Sequence, residues 1–419
     1  MHELLAYSTF AVTVGVAITR PRIGARAEIG PGASAFAGTL VLLTFGVVTP
    51  SDVRDVVVTL WRPFLTIVAI MVMTAAAGRL GVLDCVAENV FRRASLSVGR
   101  LYFVVFLLSA ATASLLNNDA AILLLTPLVL GLVRQRYPDQ PQLLLPFAFA
   151  VFMAPGVAPF VVSNPMNMIV ASSAELNFNV YAAQMVPIAI AGWIIAFVIL
   201  WGLFGSTLSA IKAPPAATRP LRPNAAQSWT IALLVAVLGS YPLVASIDPT
   251  AIWVVSTLGA LAAVVIACRQ PQVRAVELIT RGVAWEVLVF LLAVFVLAIG
   301  LRNVGLVGYL SMLYQGAPLA LVGAIAAVGS ALLNNHPMAI MNLLALEATP
   351  GSGQSDILAA LIGGDLGPRL LPIGSLAGLL WLESCRRLGV RVSLRQFVVV
   401  GLAVTLPTLA MSLAILALR

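Results

Sequence analysis

Of the 419 residues, 61% are hydrophobic and only 10% are charged, and the mean hydropathy is +1.03. A soluble globular chain carries roughly a quarter of its residues as charged groups, so this composition excludes a soluble enzyme or binding module and leaves a multi-pass membrane protein. The net charge of +8 sits in short segments between apolar runs, the pattern of positive-inside topology rather than of a nucleic-acid surface.

Stretches suited to a hydrocarbon core of ~30 Å predict ten crossings, at 4–19, 34–49, 62–83, 143–172, 186–210, 228–246, 250–268, 283–301, 357–383 and 396–418. The first is expected to be retained. Met1-His2-Glu3 gives no positive n-region, Arg20, Arg22 and Arg26 follow the apolar run, and Ala25-Arg26-Ala27 stands in the wrong charge context for cleavage. Two more apolar segments, 100–134 and 317–349, are interrupted at their centres by Asn117-Asn118-Asp119 and by Asn334-Asn335-His336-Pro337. Their second arms, 120–133 and 338–346, are too short to span at ~1.5 Å per residue, which predicts two re-entrant hairpins with the polar clusters at their tips.

Alternating from an outer N-terminus places 18 of the 24 cations on the cytoplasmic side. They are Arg20, Arg22 and Arg26; Arg92, Arg93 and Arg100; Arg134 and Arg136; Lys212, Arg219 and Arg222; Arg269, Arg274 and Arg281; and Arg386, Arg387, Arg391 and Arg395. The outer side keeps Arg54, Arg62, Arg302 and Arg419, while Arg79 and Arg369 sit in or at helices. Both termini are then outside, in a cell inner membrane. The Pro- and Ala-rich segment 212–227 is the best linker, dividing the chain into repeats 1–211 and 228–419 with five crossings each. An odd count inverts the second repeat. Trp61 and Gly81 match Trp285 and Gly305, and 114–118 matches 331–335. The expected fold is all-α integral membrane: two inverted-topology repeats, about ten transmembrane helices plus two re-entrant hairpins, with discontinuous helices at the midplane.

The breaks are dense in Gly and Pro. Segment 143–172 holds Pro155-Gly156, Pro159 and Ser163-Asn164-Pro165-Met166-Asn167. Segment 357–383 holds Gly363-Gly364-Asp365-Leu366-Gly367-Pro368 and Pro372-Ile373-Gly374-Ser375. Both helices are expected to unwind there. Irregular backbone at membrane depth survives only beside protein or a wet cavity. Candidate substrate-binding residues are therefore Asn117, Asn118, Ser163, Asn164, Asn167, Asn334, Asn335, Gly374 and Ser375. Amides bind by hydrogen bonds without a charge to desolvate, which suits a neutral hydroxyl-bearing substrate. Intramembrane ionisable groups are functional by default, so Asp119, Asp365, His336 and Arg369 are candidates for proton coupling, with a structural Asp365–Arg369 pair as the other assignment for those two. Cys85, Cys268 and Cys385 lie apart with no CxxC. No metal or other cofactor is expected, and with two histidines and no HExxH no catalytic centre is expected either.

The string Gly364-Asp365-Leu366-Gly367-Pro368-Arg369, with Pro372-Ile373-Gly374-Ser375-Leu376-Ala377 and Leu379-Leu380-Trp381-Leu382, resembles the arsenical pump membrane protein family. Asn118-Asp119 followed by Thr126-Pro127, and Asn334-Asn335-x-Pro337, resemble its other motifs. The resemblance implies proton-driven export of arsenite and antimonite as neutral trihydroxides. It also implies, for some members, association with a soluble ATPase. Arg369 stands where the family pattern has Lys, and Leu371 where it has Thr; Pro165 after Asn164 is a further variation. The alternatives are a sodium/proton antiporter or a silicate or carboxylate carrier of the same superfamily and, more remotely, a membrane-embedded enzyme.

Overall fold

The computed structural model describes residues 2–23, 27–93, 97–212, 221–248 and 250–419. Arg26, with Ala25 of the tripeptide weighed as a cleavage site, and Arg219 of the linker lie outside the described residues. One two-residue antiparallel pair, Arg22–Ile23 with Ala27–Glu28, interrupts an otherwise helical architecture.

In chain order the helices are α1 (His2–Thr19), α2 (Pro31–Thr44), α3 (Pro50–Arg79), α4 (Val82–Arg93), α5 (Val98–Leu115), α6 (Asn118–Arg136), α7 (Leu144–Met153), α8 (Pro165–Ser173) and α9 (Phe178–Ser209). Then follow α10 (Ala225–Ile247), α11 (Ile252–Cys268), α12 (Ala275–Thr280), α13 (Trp285–Asn303), α14 (Leu306–Tyr314) and α15 (Leu319–Leu333). The last four are α16 (Asn335–Glu347), α17 (Gln354–Leu366), α18 (Leu376–Arg387) and α19 (Leu394–Ala417). Several begin on reciprocal caps. Thr49 takes the Asp52 amide while Asp52 takes the Thr49 amide at 2.8 Å, with Pro50 opening α3. Asn224 with Gln227 and Ser393 with Gln396 repeat the device on α10 and α19. Among the described residues eight helical stretches are long and apolar enough to cross a membrane, and each expected crossing coincides with a helix or with an interrupted pair.

Apart from the short α12, extra in the second half, the two halves run in one order: two helices, a long helix, a short one, a hairpin, a broken helix and a final long helix. Gly81 (φ +65°) and Gly305 (φ +88°) mark the same junction, α3 to α4 and α13 to α14, where a left-handed turn admits Gly most readily. The short helices α4 and α14 were not legible as crossings, and α3 and α9 begin earlier than expected, so Arg54 and Arg62 belong to α3 rather than to an outer loop.

Two expectations need correction. The second arm of the first hairpin is α6, whose 19 residues reach about 28 Å at ~1.5 Å per residue, so arm length does not identify that hairpin. The turn is packed into the protein, with Leu116 3% exposed and Asn117 6%, as irregular backbone at membrane depth requires. Second, Gly363 and Gly364 do not unwind. Helix α17 continues to Leu366, and the irregular stretch is confined to 367–375. Gly363 and Gly367 let this segment approach α15. A Cβ at Gly363 would fall 2.2 Å from the Gly323 carbonyl oxygen, and one at Gly367 2.2 Å from that of Ala327. Small residues four apart bring membrane helices together in this way.

Candidate functional site

Four helices, α6, α8, α16 and α18, start at the hairpin tips and breaks, and a polar side chain caps each one. Asn117 Oδ1 accepts from the Asp119 and Ala120 amides (2.8 and 3.3 Å). Asn164 Oδ1 accepts from Met166 (3.1 Å), Asn334 Oδ1 from His336 (3.3 Å) and Ser375 Oγ from Gly378 (2.9 Å). Asn334 holds φ +77° with ψ 145°, outside the left-handed helical well and strained for any residue with a Cβ. Capping satisfies N–H groups that the first turn leaves free. The first Asn of each tip is thus used by its own backbone, which leaves the second, Asn118 or Asn335, for other work.

Asp365 joins the halves. Its Oδ2 accepts from the Ala158 amide and from Asn167 Nδ2, both at 2.9 Å, and its Oδ1 from Asn164 Nδ2 at 2.8 Å. The Tyr181 hydroxyl accepts from Asn167 at 2.8 Å and donates to the Ala158 carbonyl at 3.1 Å. Three donors and no acceptor face this buried carboxyl, the complement of an ionised carboxylate. Among the described residues no Asp365–Arg369 contact within 4 Å is formed, but the two charges attract each other across the site.

Asn118, Asp119, Asn164, Asn335, Asp365, Arg369 and Ser375 line one small cavity of about 40 Å³, closed by Ile122, Phe152, Pro155, Pro368 and Ala377. That is roughly three times the ~10–15 Å³ that one water needs. Three lining residues carry buried polar atoms without a hydrogen-bond partner: Asn118 Oδ1, Asn335 Oδ1 and Arg369 Nη1. Leaving such atoms unpaired costs about 1–3 kcal/mol each, so they mark a place built for a polar guest. The helix N-termini add partial positive charge, which Asp119 and Asp365 oppose.

A second cavity, of about 520 Å³, has the exposed Arg79 and Arg281 at its open end and the buried Asn117 and His336 at its floor. Arg20 and Glu277 also line it, and Arg79 lies 3.8 Å from Glu277. Asp119 lines both cavities. The remaining candidates are structural in this arrangement. Ser163 Oγ donates to the Ser114 carbonyl (2.8 Å), Asn167 holds Asp365 and Tyr181, and Gly374 packs against Pro368 and Ala331. None of the three cysteines lines either cavity. Tyr181 escaped the sequence reading because a lone Tyr near the start of an apolar helix ordinarily signals an interface.

The chain matches the family model described as arsenical pump membrane protein over residues 5–418. It is 31% identical to the arsenical pump membrane protein of Escherichia coli (strain K12), across 99% of both chains. It is 32% identical to that of Yersinia enterocolitica, again across 99% of each. Among solved structures it resembles the Alcanivorax borkumensis YdaH transporter, with a TM-score of 0.57 and 17% identity, covering 100% of this chain and 97% of that one. That likeness bears on the fold alone.

Proposed function

Because the chain belongs to the arsenical pump membrane protein family, we propose that it exports trivalent arsenic and antimony from the cytoplasm as neutral trihydroxides, in exchange for protons. The observation that supports this most is that Asn118, Asn335 and Arg369, each with an unpartnered buried polar atom, line one small cavity. A trihydroxide supplies both complements. Its O–H groups donate to the amide oxygens, and its oxygens accept from the guanidinium and the helix N-termini. The aspartates disfavour a carboxylate or other anion there. With no cysteine at the cavities, the arsenic–oxygen bonds stay intact through transport.

In this proposal the large cavity opens to the cytoplasm of a cell with its inner membrane crossed by two inverted repeats, 1–211 and 228–419, joined by 212–227. The cations Arg20, Arg79 and Arg281 then lie on the positive side of the membrane rule. Asp119 lines both cavities and its carboxylate accepts no hydrogen bond from the described residues, so it is free to gain and lose a proton as the solute passes. Asp365 is occupied by three donors and holds the two broken helices in register. A proton arriving at Asp119 from outside, and released inward when solute has left, couples the two flows.

The test is arsenite accumulation by everted membrane vesicles with a pH gradient imposed and then collapsed by an uncoupler. Accumulation that follows the gradient supports the exchange. Accumulation indifferent to it removes the proton from the scheme, and none at all removes the substrate.

A further inference from the structure

His336 is 1% exposed, lies edge-on to Phe290 of α13 (ring centroids 6.0 Å apart, 70° between planes) and lines the floor of the large cavity with Asn117 and Asp119. Its tautomer follows from its neighbour. Asn334 Oδ1 accepts the His336 backbone N–H at 3.3 Å, so that oxygen is an acceptor, and the same oxygen lies 3.2 Å from His336 Nδ1. Nδ1 therefore carries the proton and donates it, and Nε2 presents a lone pair. Nε2 has no hydrogen-bond partner. A proton relay needs a base on each side of the ring, and an amide oxygen cannot take the Nδ1 proton. The group assigned by sequence to proton coupling is built as a fixed acceptor instead.

We infer that the floor of the large cavity is a first binding station, distinct from the inner cavity, where a small neutral polyhydroxyl solute donates one O–H to His336 Nε2. This rests on the reading of the substrate class and of the direction of travel given above. Asp119 stands beside the station and also lines the inner cavity, so a solute held at His336 is already next to the carboxylate that separates it from Asn118 and Asn335. The cavity's other charged side chains, Arg20, Arg79, Glu277 and Arg281, include the exposed Arg79 and Arg281 at its open end. His336 thus sets how readily solute is collected, not how the proton moves.

The experiment measures initial arsenite uptake by everted vesicles across a concentration series for the wild type, His336→Leu and His336→Gln. Loss of one neutral hydrogen bond predicts a rise in KM of about three- to tenfold in His336→Leu, with most of kcat and the pH-gradient dependence retained. His336→Gln, which returns an amide oxygen, recovers most of the KM. An unchanged KM in His336→Leu overturns the station, as does loss of gradient dependence, which would make the residue a relay. Equal losses in both variants with lowered thermal midpoints would reduce it to a packing residue and overturn it too. A wild type that moves no arsenite defeats the functional reading and this station with it, whereas a silent His336→Leu on a working wild type defeats the station alone.

Discussion

The two hairpin tips share a frame and differ in chemistry. In each, the first Asn caps the helix that follows and the second keeps an unpartnered amide oxygen. The third position diverges: Asp119 borders both cavities, while His336 is tied to Asn334 and faces only the larger one. The broken helices diverge as well. The first contributes neutral donors, from Ala158, Asn164 and Asn167, and the second contributes the charges of Asp365 and Arg369. Backbone geometry is therefore what the halves hold in common, since every buried helix start needs a cap whatever passes by it. Charge is what they divide between them, and a neutral solute needs the two sets brought together.

Asp365→Ala should break that union most severely. It leaves three buried N–H groups without acceptors, at about 1–3 kcal/mol apiece, so a total of about 3 kcal/mol or more is expected. The thermal midpoint in detergent should fall sharply and arsenite transport should vanish. A variant with wild-type stability would show that the halves are not joined at this carboxylate.

Next in size are Asn118→Leu and Asn335→Leu. Neither residue caps a helix, and each replacement removes an unpartnered oxygen from the inner cavity. Transport should fall in both by about tenfold or more, as expected when a buried polar group of a substrate loses its complement, with expression and thermal midpoint close to wild type. Equal losses sharpen the idea of a shared frame. Normal flux in both would remove the inner cavity from the substrate path.

Asp119→Asn probes the divergence at the third position. It keeps the shape of the residue and removes its proton exchange, so gradient-driven accumulation should be lost while arsenite–arsenite exchange across the membrane persists. Persistent gradient-driven accumulation would transfer the proton to Asp365 and undo the division of roles between the two aspartates.

Much of this centre was legible in the sequence, because a polar residue at membrane depth stands out against an apolar background. That is how Asn118, Asn335, Asp119, Asp365 and Arg369 were found together with both breaks. What escaped depends on three-dimensional geometry. Gly363 and Gly367 carry the composition of a helix break, yet they serve helix contact, and only the approach of Gly323 and Ala327 decides between the two roles. The partners of Asp365 lie 198 to 207 residues away, beyond any local pattern. The arms of the first hairpin have the length of full spans, so length alone does not separate a hairpin from two crossings.

The smallest expected effect is also the finest test of the shared frame. Asn117 and Asn334 are assigned to their own backbones, so Asn117→Ala should lower stability by about 1 kcal/mol, the worth of an N-cap, with little change in the KM for arsenite. Asn334 carries an additional strain, because its φ of +77° with ψ 145° costs Asn and Ala alike about 1–3 kcal/mol and Gly little. Asn334→Ala should therefore cost about as much as Asn117→Ala, the loss of the cap alone, and Asn334→Gly, which forfeits the cap but relieves the backbone, should lower the thermal midpoint less than either. Were Asn117→Ala to raise KM as strongly as Asn118→Leu does, the first Asn of the tip would be a substrate ligand, and capping would be incidental to it.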